Sequence, residues 1–267
     1  MKKNVEPFLK RNKWLKSVPN ILTVCNSLCG FGAILFALQA YRNTDMDVVF
    51  ITSACLILGA MVFDTLDGFA ARILNAASLK GVQMDSLADM VTFGVAPAVL
   101  VAVMAHVYSA TQYGYVIAWL LCAIYLATAA HRLARYNVMT MVEKKSGQKF
   151  YGLPSPGGAA AVCSLVILFC STNIDPHHFW VKILPYYACL MGILMVSNIR
   201  FQHMGKWLIN AKRNKIRFCL LLVVLVLLLL DPVACVVIVI NGYVVWGIVR
   251  DISIRMNRRK KMKELRG

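Results

Sequence analysis

Residues 64–89 read DTLDGFAARILNAASLKGVQMDSLAD, and this stretch joins two hydrophobic segments of the chain. It contains four aspartates, which are spaced three and four residues apart within two pairs: Asp64, Asp67, Asp85 and Asp89. Residues three or four apart lie on one face of an α-helix. The spacing therefore predicts two helices, each of which presents a pair of carboxylates from a single face.

Four carboxylates in or near a bilayer are costly, because each one loses water and each repels the others. A hard divalent cation such as Mg²⁺, Mn²⁺ or Ca²⁺ would offset that cost, since these ions prefer oxygen ligands and no His or Cys stands at ligand spacing here. The alternative is that the aspartates cap helices or pair with Arg72 and Lys80. Two basic residues cannot neutralise four acids, so the pattern favours a metal site.

The composition is that of an integral membrane protein. Hydrophobic residues make up 59% of the 267 residues, and the mean hydropathy is +0.64. A chain of this length holds several spans of roughly 20 apolar residues each. The nine cysteines lie in apolar stretches without C-x-x-C spacing, so we expect neither a disulfide framework nor a zinc site.

The hydrophobic pattern predicts an all-α polytopic membrane protein with about eight transmembrane helices, preceded by a basic amphipathic juxtamembrane helix. The predicted spans cover residues 20–41, 47–74, 85–109, 114–136, 156–172, 179–198, 217–231 and 232–249. We expect three parts: a basic N-terminal segment 1–17, a membrane domain 18–250 and a basic tail 251–267.

The net charge of +17 is explained by membrane topology rather than by nucleic-acid binding. With eight spans, every Lys and Arg except Arg42 and Lys182 falls on the side that holds both termini. The positive-inside rule makes that side cytoplasmic. We therefore predict a multi-pass protein of the cytoplasmic (inner) membrane, with both termini and the aspartates facing the cytoplasm and with membrane lipids around it.

The full pattern D-x2-D-G-x2-A-R-x8-G-x3-D-x3-D is complete from Asp64 to Asp89. It resembles the signature of the CDP-alcohol phosphatidyltransferase family. The resemblance implies that a hydroxyl attacks the phosphate of a CDP-activated lipid or alcohol, with CMP as the leaving group. It implies that the four aspartates bind two divalent cations, Mg²⁺ or Mn²⁺ (Ca²⁺ in crystals), that Asp89 is the general base, and that the protein is a homodimer.

The same resemblance assigns four residues to the CDP moiety: Gly68, Ala71, Arg72 and Gly81. Gly68 and Ala71 have an alternative role as small residues between packed membrane helices. Polar residues near the start of the first span either contact the cytosine or form hydrogen bonds between helices; they are Asn20, Thr23 and Asn26.

Four further stretches resemble the phosphatidylserine synthase branch of this family: 19–31, 93–98, 132–137 and 152–156. This implies CDP-diacylglycerol and L-serine as substrates and phosphatidylserine and CMP as products. Arg132 and Arg135 would bind the serine carboxylate, although they would bind glycerol phosphate equally well or anchor the helix end. The alternatives are therefore a phosphatidylglycerophosphate synthase, another CDP-alcohol phosphotransferase and, in a different class, a divalent-cation transporter.

Overall fold

The structure, a computed structural model, describes residues 17–42, 45–74, 78–108, 112–142, 152–172, 179–201 and 227–264, and these are predominantly helical with no strand among them. The long α-helices are α1 (Val18–Gln39), α2 (Met46–Ile73), α3 (Leu79–Asp89), α4 (Ala96–Val107), α5 (Gln112–Val142), α6 (Ser155–Ser171), α7 (Phe179–Val196) and α8 (Pro232–Glu264). A π-helical turn, Met90–Val95, joins α3 to α4. The predicted all-α class is confirmed for this part of the chain.

Five helical segments are long and apolar enough to cross a bilayer: Val18–Gln39, Met46–Ile73, Leu79–Val107, Gly114–Val138 and Pro232–Asn257. Two shorter apolar helices accompany them, Ser155–Ser171 and Lys182–Val196. The chain is therefore a multi-pass membrane protein. The count of eight spans stays a prediction, because most of the predicted span 217–231 lies outside the described residues. The predicted amphipathic segment 1–17 lies outside them as well, apart from Ser17.

The third membrane helix begins at Leu79 and not at Asp85, where the hydrophobic pattern placed it. Ser78 caps this earlier start, because its hydroxyl accepts a hydrogen bond of 3.0 Å from the backbone N–H of Gly81. Hydrophobicity alone missed the first turns, since they are polar. As a consequence, Asp85 and Asp89 lie more than one turn after the N-terminus of the helix, which Ser78 caps.

The last membrane helix continues through the predicted boundary at residues 250–251 and ends at Glu264. Buried Asp251 forms a salt bridge of 2.6 Å with Arg255 on the next turn. The Arg255 guanidinium also donates to the backbone carbonyl of Asn198, just after α7. These contacts hold the start of the basic tail as a continuation of α8.

Small residues allow the helices around α2 to pack closely. Gly30, Ala33 and Ala37 of α1 are buried, and the hydroxyl of Ser53 in α2 donates to the Ala33 carbonyl at 2.8 Å. Helix α6 is the central helix of the bundle, with eleven of its seventeen residues buried. Membrane helices associate through such close packing and interhelical hydrogen bonds, because lipid provides no hydrophobic drive between them.

The segment before α6 is fixed to the end of α7. Gly152 has a φ of +87°, a conformation that favours glycine. Its N–H donates to the Ile199 carbonyl at 2.9 Å, and the Leu153 N–H donates to the Leu194 carbonyl at 3.0 Å. This turn places Ser155, the first residue of α6, in the buried interior.

Candidate active site

The structure brings the aspartates of the motif together. One carboxylate oxygen from each of Asp64, Asp67 and Asp85 lies within 4.8 Å of the others. Asp89 lies one turn after Asp85, and its carboxyl group contacts that of Asp64. Helices α2 and α3 therefore contribute two carboxyl groups each to one cluster, as their spacing along the chain requires.

The cluster has the properties of a cation site. Asp67 is buried, and the Oδ1 atom of Asp85 is buried without a hydrogen-bond partner among the described residues. Within the described ranges, no Lys or Arg forms a salt bridge with any of the four aspartates. Buried carboxylates without basic partners repel one another, and a hard divalent cation with oxygen ligands relieves that repulsion. The donor set therefore fits a divalent metal.

Helix α1 supplies two hydrogen bonds to the cluster. The Thr23 hydroxyl lies 2.8 Å from Oδ2 of Asp67, and Nδ2 of Asn26 donates to Oδ1 of Asp89 at 3.2 Å. The sequence left two roles open for Thr23 and Asn26, contact with the cytosine or hydrogen bonds between helices. The structure shows hydrogen bonds between helices for both residues. Asn20 lies one turn before Thr23, and its Oδ1 atom faces Gly81 of α3.

The residues that the motif assigns to CDP surround the aspartates at the end of α2 and the start of α3. Gly68 is exposed, and apart from its chain neighbours and the backbone of its own helix, no described atom lies within 4 Å of the place where a Cβ would stand. Arg72 is exposed, and its Nε donates to the Gly68 carbonyl at 2.9 Å. Ala71 is half-buried between them. Within the described part of the chain, Gly68 therefore lies on an open surface and packs against no other helix.

Arg132 of α5 is a further residue beside the aspartates. It lies near enough to Asp89 for an electrostatic interaction, and one terminal nitrogen donates to the buried Ser155 hydroxyl of α6. Its Nε is buried and has no hydrogen-bond partner in the described part of the chain. Arg135 is half-buried one turn further along α5. Tyr136 interacts electrostatically with both Asp85 and Arg132.

Comparison with known proteins identifies the family of this chain. Residues 16–195 match the family model described as CDP-alcohol phosphatidyltransferase, which covers the motif and all the helices that surround it. The chain belongs to the CDP-alcohol phosphatidyltransferase family.

Relatives within this family are similar along most of their length. The chain is 31% identical over 237 residues to a protein of Helicobacter pylori, a match that covers 87% of this chain and 90% of that one. It is 35% identical over 190 residues to a protein of Bacillus subtilis, covering 71% and 92%. Both are named CDP-diacylglycerol–serine O-phosphatidyltransferase. An archaetidylserine synthase of Methanothermobacter thermautotrophicus is 29% identical over 188 residues, covering 69% of each chain.

The structure also shows site neighbours to which the sequence analysis assigned no role. Ser155 and Tyr136 contact or approach Arg132, yet neither belongs to the signature motif. Ser86 donates to Oδ1 of Asn137 at 2.7 Å and so connects α3 to α5 beside the cluster. Asn137 lies in the stretch 132–137 that resembles the phosphatidylserine synthase branch. The sequence did not indicate that α3 would pack against Asn137.

Proposed function

We propose that this family member transfers the phosphatidyl group of CDP-diacylglycerol to the hydroxyl of L-serine, giving phosphatidylserine and CMP. The observation that carries the proposal is the similarity to bacterial serine transferases along about nine-tenths of both chains. The archaeal relative is named for a seryl lipid too, which supports serine as the acceptor.

In this reaction the serine oxygen forms a bond to the phosphorus that carries the diacylglycerol. The bond from that phosphorus to the oxygen of CMP breaks, and CMP leaves with the electron pair. The attacking hydroxyl loses its proton. The protein must therefore provide a proton acceptor, a place for the pyrophosphate and a site for zwitterionic serine.

We propose two divalent cations, Mg²⁺ or Mn²⁺, held by Asp64, Asp67, Asp85 and Asp89, which when bound would neutralise the pyrophosphate and stabilise the displaced oxygens. The unpartnered Oδ1 of Asp85 and the convergence of three carboxylates support this ligand set.

Asp89 is the proposed proton acceptor. Its carboxyl group contacts that of Asp64 but stands outside the three carboxylates whose oxygens converge within 4.8 Å. Nδ2 of Asn26 donates to Oδ1 of Asp89 at 3.2 Å and so orients the carboxyl group. A general base must lie within hydrogen-bond reach of the proton that it accepts.

Arg132 is proposed to bind the serine carboxylate, with Arg135 as a second cation. The guanidinium of Arg132 is fixed by Ser155, lies near Asp89 and has a buried Nε without a partner among the described residues. A planar guanidinium with a free N–H matches a carboxylate. Its burial argues against the alternative that Arg132 only anchors the helix end at the membrane surface.

The CDP moiety is proposed to lie over the end of α2 and the start of α3. Gly68 offers close approach to the backbone, Ala71 is small, and the exposed Arg72 can turn from the Gly68 carbonyl to a phosphate. Gly81 and Asn20 face one another at the start of α3. Thr23 would act on the nucleotide through Asp67, to which it is bonded.

The remaining proposals concern the setting of the enzyme. The basic residues indicate a protein of the cytoplasmic membrane with both termini and the site on the cytoplasmic side. We propose a homodimer, with residues 18–250 as the membrane domain between the basic segments 1–17 and 251–267. Family membership favours transfer chemistry over the divalent-cation transporter.

The test is CMP release by the purified protein with CDP-diacylglycerol, serine and Mn²⁺. Asp89→Asn is expected to abolish release and keep the fold. Asp45→Asn is the matched control, because Asp45 is exposed at the other end of α2 and its side chain caps no N–H. Turnover by Asp89→Asn close to that of the unmodified protein would contradict the assignment of the base.

A further inference from the structure

The π-helical turn Met90–Val95 follows directly after Asp89. An α-helix turns about 100° per residue, so the extra residue of a π-helical turn rotates everything before it by about that angle relative to everything after it. On one side of this turn, Asp85 and Asp89 face the cluster. On the other side, buried Leu100, Val101 and Met104 of α4 pack into the core. The turn therefore allows one continuous helix to direct its aspartates toward the cluster and its apolar residues toward the core.

Two hydroxyl groups connect this turn to neighbouring helices, one from α5 and one from the turn itself. The Tyr125 hydroxyl of α5 donates to the Phe93 carbonyl at 2.8 Å. The Thr92 hydroxyl donates to the Asn26 carbonyl of α1 at 3.0 Å. All four residues are fully buried. A π-helical turn disrupts the regular backbone hydrogen bonds of an α-helix, so a buried donor from another helix stabilises it.

Asn26 connects the turn to the reacting aspartate. Its backbone accepts from Thr92, and its side chain donates to Asp89. One turn further along α1, Gly30 packs so closely on Thr92 that a Cβ there would lie 2.8 Å from the Thr92 Cα. Asn26, Thr92 and Gly30 thus connect the turn, α1 and the Asp89 carboxyl group by buried contacts.

We propose that Tyr125 and Thr92 are positioning residues, which hold the π-helical turn in register and thereby orient Asp89 toward the other three aspartates. Neither residue touches the cluster. The part of this inference that concerns turnover rests on the proposed transfer reaction, and the part that concerns metal binding rests only on the proposed metal site.

The experiment compares Tyr125→Phe with Tyr187→Phe. Tyr187 is the matched control, because its hydroxyl also makes a hydrogen bond between helices, to Oδ1 of Asn241 in α8, away from the aspartates. Mn²⁺ binding to each purified protein is measured by electron paramagnetic resonance, and thermal unfolding is measured in the same detergent. CMP release then gives kcat, and KM for CDP-diacylglycerol, at saturating Mn²⁺.

Tyr125→Phe is expected to weaken Mn²⁺ binding by about tenfold and to lower kcat by a similar factor, as the loss of one buried hydrogen bond predicts. Tyr187→Phe is expected to bind Mn²⁺ as the unmodified protein does, even where it unfolds at a lower temperature. Equal Mn²⁺ binding by both variants would overturn the proposal.

Thr92→Val is the second variant, because valine has nearly the same shape and removes only the hydroxyl. It is expected to change Mn²⁺ binding in the same direction as Tyr125→Phe, and unchanged binding would overturn its assigned role. If the unmodified protein binds Mn²⁺ and releases no CMP with serine, the proposed function fails. The positioning inference is then decided by the Mn²⁺ measurements alone.

Discussion

Replacing Gly30 by alanine tests the close packing between α1 and the π-helical turn. The new Cβ would lie 2.8 Å from the Thr92 Cα and 2.5 Å from its Oγ1. Carbon atoms pack at about 3.5 Å, so the two segments must separate by roughly 0.7 Å. A shift of that size along the bond from Asn26 to Asp89, now 3.2 Å, would lengthen it to roughly 3.9 Å and break it.

The energetic effects of Gly30→Ala on folding and on turnover differ. Overpacking costs about 1–3 kcal/mol, while alanine is about 1 kcal/mol better than glycine in a helix. The free energy of unfolding should therefore fall by roughly 0–2 kcal/mol. A misplacement near 1 Å costs on the order of a hundredfold in rate, so we expect kcat to fall by between tenfold and a hundredfold.

The assay is CMP release with CDP-diacylglycerol, serine and Mn²⁺, together with thermal unfolding in the same detergent. Gly32→Ala is the control on the same helix, because its Cβ would meet only Leu56 Cδ1 at 3.7 Å, an ordinary contact. We expect Gly32→Ala to keep its turnover. A folded Gly30→Ala variant with turnover within about twofold of the unmodified protein would refute the reasoning, since a rate change that small corresponds to well under 1 kcal/mol.

Three further changes test individual parts of the site. Gly68→Ala should raise the unfolding temperature, since alanine favours a helix, yet raise KM for CDP-diacylglycerol about tenfold, because only the ligand needs the space; an equal rise in KM for Gly59→Ala, where a Cβ would also meet nothing within 4 Å, would contradict this. Arg132→Lys should raise KM for serine at least tenfold with KM for CDP-diacylglycerol unchanged, since lysine cannot form the planar contact; an unchanged serine KM would remove Arg132 from the serine site. Thr23→Val should weaken Mn²⁺ binding about tenfold, as expected for a lost hydrogen bond to a charged group. Thr52→Val, which loses a bond to its own helix, should not, and equal losses would refute the role of Thr23.

The aspartate cluster could be predicted because its signal is local. Spacings of three and four residues determine which residues share a helical face, and carboxylate oxygens favour a hard divalent cation as the bound ion. The meeting of Asp64 and Asp67 with Asp85 followed from having two such faces on consecutive helices. The membrane class was equally accessible, because apolar length alone sets it.

The supporting contacts could not be predicted, because they join residues that are distant in the sequence. The link from Arg132 to Ser155 depends on how α6 packs beside α5, and no periodicity reports that packing. The π-helical turn leaves no mark in the hydrophobic pattern, although it decides the direction of Asp89. The length of α8 was missed for a different reason, since its last turns are polar and were interpreted as a tail.

The most direct test of the central claim is CMP release by the purified protein with CDP-diacylglycerol and Mn²⁺, compared with serine, glycerol 3-phosphate, inositol or no acceptor. We predict release that depends on serine, with phosphatidylserine as the lipid product. Release with glycerol 3-phosphate in place of serine would keep the motif chemistry and contradict the acceptor. No release with any acceptor would contradict the transferase activity itself.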